Sequence, residues 1–95
     1  MTLPGGYSDT QSATPDVKTI AFQAKAATQT KLGKNYEKFK PISYRSQIVN
    51  GINYLIKVKT NDGYIHIKVY KSFQGTIEFK GIQEGQTSTS EINPF

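Results

Sequence analysis

From Tyr36 onward, apolar residues recur at every second position, and turn residues interrupt the alternation at intervals too short for a helical crossover. In Ile52-Asn53-Tyr54-Leu55-Ile56-Lys57-Val58-Lys59, positions 52, 54, 56 and 58 are apolar while Asn53, Lys57 and Lys59 fall on the other side, as in a half-buried strand. Ile65, Ile67 and Val69 alternate in the same way with His66, Lys68 and Tyr70, and Ile77 and Phe79 with Glu78 and Lys80. Asn50-Gly51, Asn61-Asp62-Gly63 and Gln74-Gly75 separate the strands by hairpin-length connections, which predicts an antiparallel meander with one wet face. A further strand is expected from about Lys38 to Val49, with Pro41 confining its start to an edge or a bulge.

Ahead of the strands the period is helical. Thr14 can accept from first-turn amides, Pro15 has its φ preset for the first helical position, and Asp16 complements the positive end of the dipole. Val17, Ile20, Ala21, Ala24, then Ala27 or Thr28, and Lys31 or Leu32 form one stripe, with Phe22 lying off it. Gly33 ends the helix. Residues 1–13 are rich in Gly, Ser, Thr and Pro and read as a mobile arm. The expected organisation is therefore a single domain over 1–95: a flexible N-terminal trunk at 1–13, a helix at 14–33, and an antiparallel sheet with a C-terminal tail at 36–95. One helix laid across such a sheet is a two-layer α+β solution that buries both apolar faces.

The chemistry available to such a chain is limited. No cysteine is present, which excludes disulfides, thiolate metal sites and a cysteine nucleophile. The one histidine, His66, falls opposite Ile65 and Ile67 and is expected on the surface; neither a nucleophilic triad nor a zinc site can be assembled around it. Asp9, Asp16, Glu37, Asp62, Glu78, Glu84 and Glu91 are scattered over different elements, so no carboxylate pair is suggested and the chain reads as a non-enzyme without cofactor or metal. The net charge of +5 comes from 12 Lys+Arg against 7 Asp+Glu, spread as a solvated surface. Lys57, Lys59, Lys68, Tyr70 and Lys71 could instead form a stacking platform for single-stranded nucleic acid. Met1 to Ser8 has neither a basic n-region nor an apolar run, so no secretory signal is expected there, and no stretch is long enough to span a membrane.

Gln47-Ile48-Val49-Asn50-Gly51, a Gln-x-Val-x-Gly turn between two strands, accompanies the Gly5-Gly6 pair of the arm. Thr14-Pro15 stands at the helix start, with Tyr44 and Gln47 before the turn and Asn53-Tyr54 and Ile56-Lys57-Val58 after it. His66, Lys68-Val69, Lys71-Ser72, Gly81, Gln83 and the terminal Phe95 follow at fitting distances. Over nearly its whole length the chain resembles the cystatin superfamily of inhibitors of papain-like cysteine peptidases. The short, cysteine-free form points to the stefins, its intracellular branch.

That resemblance implies a curved sheet wrapped on the helix and a wedge of three parts that enters the peptidase cleft. Carried onto this chain, the trunk would be Leu3, Pro4, Gly5 and Gly6, with Leu3 and Pro4 on the non-primed subsites and Gly5 at the bend. The first loop would be Gln47, Ile48, Val49, Asn50 and Gly51. The second would be Phe73, Gln74 and Gly75, where the family's usual Leu-Pro-Gly is altered at two positions. Gln74 in place of proline is expected to loosen this loop, and Phe73 enlarges its tip. Phe73 could equally be a core residue at a strand end.

Implied partners are papain and cathepsins of the B, H, L and S types, reversibly and tightly bound, with neither specific nucleic acid nor membrane. The chain would be mostly monomeric, with domain-swapped dimers accessible through the hinge loops. A cytoplasmic location is implied, with non-classical secretion left open. The alternative is a cystatin-fold module without inhibitory activity that uses its basic sheet face for an anionic partner.

Overall fold

The computed structural model describes residues 6–95. The chain runs β1 (Gln11–Ser12), α1 (Pro15–Leu32), β2 (Phe39–Val49), β3 (Gly51–Thr60), β4 (Gly63–Lys71) and β5 (Ile77–Gln86). The five strands form one antiparallel sheet in the order β1-β2-β3-β4-β5, and the helix packs on one face, the α+β arrangement expected from the two periods. The Thr14 hydroxyl accepts from the Val17 amide at 3.2 Å, Pro15 follows it, and Gly33 closes the helix at φ 66°, ψ 32°. Both caps were legible because each needs a particular residue type: a short oxygen at the start, and freedom from a Cβ at the end.

The helix stripe and the inward positions of the strands meet in one core. Val17, Ile20, Ala21 and Ala24 pack with Tyr54, Ile56 and Val58 of β3 and Ile65, Ile67 and Val69 of β4. Thr28 is buried in the stripe, its hydroxyl donating to the Ala24 carbonyl at 2.9 Å. Tyr36 and Phe39 close one edge of the core, their ring centroids 6.0 Å apart. Phe22 remains 53% exposed, resting its ring near that of Phe39. The β2–β3 register shifts between Pro41 and Ser43, so the proline sits beside an irregularity of the ladder, a position where proline is tolerated in sheets.

Two expectations are corrected. The sheet does not have one wet face: the C-terminal tail covers the centre of the side away from the helix. Lys57 donates to the Ser88 carbonyl at 3.0 Å and the Ser90 carbonyl at 2.6 Å, Lys68 donates to a Phe95 main-chain oxygen at 2.9 Å, and Ile92 is buried. Leu55, Lys57 and His66 are buried on this side, so His66 is not a surface histidine. The other correction is to the arm, which is not free throughout. Gln11 and Ser12 pair with Tyr44 and Ser43, and the Ala13 amide donates to the Ile42 carbonyl at 3.0 Å. Without the arm, β2 would be an edge strand with unpaired backbone groups on its outer side, and the arm supplies their partners.

Candidate functional site

The two loops at one end of the sheet lie side by side because β3 pairs with both β2 and β4. Val49 pairs with Gly51 across the first turn, and Ile52 pairs with Lys71, which leads into the second loop. Gly51 holds φ 121°, a conformation that L side chains rarely adopt. A Cβ there would lie 2.7 Å from the Lys71 carbonyl oxygen and 2.7 Å from Tyr70 Cζ. The Tyr70 hydroxyl donates to the Asn50 carbonyl, bracing the turn from the neighbouring strand. One rung back, Asn53 donates to Gln47 Oε1 at 3.0 Å. The braced turn leaves Ile48 71% and Val49 41% exposed, an unusual cost for apolar side chains unless a partner covers them.

Ser72 closes the second loop. Its carbonyl accepts from the Gly75 amide at 3.0 Å, its amide donates to the Thr76 carbonyl at 2.9 Å, and its hydroxyl accepts from the Thr76 amide at 3.0 Å. Gly75 takes φ 93°. These bonds offset the freedom that Gln74 would otherwise bring, so the tip is held without a proline. Phe73 is 70% exposed, which settles its position at the tip rather than in the core.

The arm arrives at the same end. Ser8 donates through its amide to the Ser46 carbonyl at 2.8 Å and accepts at its hydroxyl from the Ser46 amide at 3.1 Å. Running back from Ser12 beside Ser43 to Ser8 beside Ser46, the chain climbs β2 toward Gln47 and Ile48. Gly6 is exposed; Leu3, Pro4 and Gly5 lie outside the described residues. The first and second loops are thus brought together, and the described root of the trunk points to them.

The rest of the molecule offers little reactive chemistry. Burial, reinforced by the positive charge of Lys57, pushes the His66 pKa down from 6.5 to about 4. Neither ring nitrogen has a hydrogen-bond partner among the described residues. No group of three or more His, Cys, Asp or Glu among the described residues could hold a metal ion. The basic platform is not supported either, because Lys57 and Lys68 spend their ammonium groups on the tail.

Two residues at this end escaped sequence reasoning. Tyr70 braces the first turn, and the hairpin register fixed by Asn50-Gly51 and Asn61-Asp62-Gly63 could have placed it near Asn50. Arg45 binds the arm and the tail at once, and no periodicity signals that.

Residues 5–91 match the Cystatin domain family. Among curated proteins, the chain is 41% identical over 95 residues to Cystatin-A2 of Dictyostelium discoideum, covering 100% of both sequences. It is 38% identical over 97 residues to leukocyte cysteine proteinase inhibitor 1 of Sus scrofa, covering 98% of this chain and 94% of that protein. To Stefin-C of Bos taurus it is 46% identical over 69 residues, covering 72% of this chain and 68% of that protein.

Proposed function

This chain belongs to the cystatin family, and we propose that it inhibits cysteine peptidases by steric occlusion of the active-site cleft. Its relatives carry the names of cystatins, a stefin and a cysteine proteinase inhibitor, and the family consists of inhibitors rather than enzymes. The inhibitory surface is the end of the sheet where the loops at Gln47–Gly51 and Phe73–Gly75 sit beside the root of the trunk. Residues 1–95 act as one inhibitory domain, with Leu3, Pro4, Gly5 and Gly6 of the 1–13 trunk as its third contact.

One observation carries this reading: Ile48, Val49 and Phe73, three of the molecule's exposed large apolar side chains, are gathered at one end on two hydrogen-bonded loops. Apolar area supplies affinity, and loops already folded lose little conformational entropy on docking. A standard protease–inhibitor interface of roughly 1,600 Å² in total is within reach of two loops and a trunk. The bound loops occupy the cleft without presenting a peptide bond in attack geometry to the thiolate, so the inhibitor is not cleaved. The targets are papain-like enzymes, among them papain and cathepsins of the B, H, L and S types, met in the cytoplasm.

Titration of active papain and of a cathepsin L-type enzyme tests this, with hydrolysis of a fluorogenic peptide as the readout. Stoichiometric inhibition is expected. No inhibition of either enzyme at micromolar concentrations would overturn the proposal.

A further inference from the structure

We infer that Tyr70 is a positioning residue that couples the two loops: it is held at the root of the second loop and fixes the first in the shape that docks on a peptidase. This rests on the inhibitor reading above. Strand register places Gln47, Asn53, Tyr70 and Glu78 directly opposite one another across β2, β3, β4 and β5, so their side chains share one face of the sheet in a single row at the root of both loops. The row is bonded at either end. Asn53 donates to Gln47 Oε1 at 3.0 Å, while Lys80 Nζ lies 3.4 Å from a Glu78 carboxylate oxygen and 5.9 Å from the centroid of the Tyr70 ring, within the range of a cation–π contact. From its place in the row, Tyr70 donates its hydroxyl proton to the Asn50 carbonyl of the first turn.

The same residue opens the second loop. The Tyr70–Glu78 and Lys71–Ile77 pairs are the rungs from which Ser72 to Thr76 project, and Ser72 bonds across the loop to Thr76. A shift at this root therefore moves the Tyr70 ring, and the ring carries the Asn50 carbonyl with it. Gly51, at φ 121°, has no side chain to limit the turn to one conformation, so the Tyr70 hydroxyl selects the conformation that presents Ile48 and Val49. A loop that spends less time in its binding shape lowers the competent fraction of the inhibitor and slows association in proportion. Once formed, the complex holds the loop itself. A residue that touched the peptidase directly would act on dissociation instead.

Full-length proteins test this with papain, the association and dissociation rates being read from progress curves and the motion of the free proteins from nitrogen-15 relaxation. Tyr70→Phe and Lys80→Met are measured singly and together. Tyr70→Phe keeps the ring and is expected to slow association roughly fivefold, as for one lost neutral hydrogen bond, with dissociation unchanged. Relaxation should show new motion at Asn50 and Gly51 and none at the Gly63 turn. Lys80→Met releases the ring at an exposed site and should slow association about twofold. With Tyr70→Phe present it should have no further effect, because Lys80 acts through the hydroxyl.

Unchanged loop motion in Tyr70→Phe, a loss that falls on dissociation, or additive effects of Tyr70→Phe and Lys80→Met would each overturn the inference. If the unmodified chain does not inhibit papain, the inhibitor reading fails and this inference with it; inhibition by the unmodified chain with an unaltered association rate in Tyr70→Phe overturns this inference alone.

Discussion

The two ends of the sheet are turned by nearly the same residues and finished in opposite ways. At one end Asn50-Gly51 joins β2 to β3 with Gly51 at φ 121°, and at the other Asn61-Asp62-Gly63 joins β3 to β4 with Gly63 at φ 126°. A Cβ on Gly63 would meet nothing within 4 Å, whereas one on Gly51 would press into Tyr70 and Lys71. The Gly63 end is dressed in charge: Lys34 reaches Asp62 at 3.3 Å and Glu84 at 3.7 Å. The Gly51 end is dressed in Ile48, Val49 and Phe73. Asn and Gly in a turn thus report only that the chain reverses. The neighbours that stay apolar in water, and the strand that braces the turn, distinguish a binding loop from a connection.

Substituting each glycine sharpens this contrast most. Gly51→Ala should weaken papain inhibition by roughly a hundredfold, equivalent to about 3 kcal/mol, because the turn must shift away from Tyr70. Gly63→Ala meets the same unfavourable φ in open space and should lower stability by about 1–3 kcal/mol while leaving inhibition intact. Denaturant melts beside inhibition constants separate the two, and equal inhibition by both variants would break the comparison.

Side-chain removal is the next step down. Val49→Ala and Phe73→Ala should each weaken binding about tenfold through lost apolar contact. Asp62→Ala removes an exposed ion pair with Lys34 and should leave both inhibition and melting temperature unchanged, since such pairs contribute little in water. A smaller effect is expected from chemistry at the turns. Asn50-Gly51 is a deamidation site and Asn61-Asp62 lacks the following glycine, so ageing should place a negative charge among the binding loops and weaken inhibition about fivefold. Mass spectrometry and inhibition assays on an aged sample check this, and unchanged inhibition by fully deamidated protein would contradict it.

The middle of the sheet carries a pH response of its own. His66 excludes a proton when folded and accepts one when unfolded, so stability should fall as the pH drops below 6.5 and level off below about 4. Between pH 7 and pH 5 the loss should be about 1–2 kcal/mol by chemical denaturation, and His66→Leu should flatten this part of the curve.

Much of the fold was legible in the chain because its signals are local. Thr14 and Gly33 cap the helix by residue type, and the alternation through Ile52 to Val58 places the helix side of the sheet without reference to anything distant. The other side was not legible. Ser88, Ser90 and Phe95 are held through backbone oxygens, which every residue possesses, and Ile92 is a single apolar residue with no period to announce it. A histidine alternating with Ile65 and Ile67, on the same side of its strand as Lys68, therefore read as solvated, although a distant segment covers it. In the site, the first loop could be read from Gln47 to Gly51, since its turn chemistry is in its own residues. Phe73 was ambiguous because a strand end and a loop tip look alike until the Ser72 bonds are seen, and the hold of Arg45 on Ser8 and Ile92 joins segments 37 and 47 residues away.

Titrating active papain with the unmodified chain at low and high salt tests most directly whether the apolar end of the sheet is the inhibitory surface. Stoichiometric inhibition that holds as salt screens charges is the expected result. Absent inhibition would contradict it, and so would inhibition that collapses steeply with salt, which would place binding on the lysines.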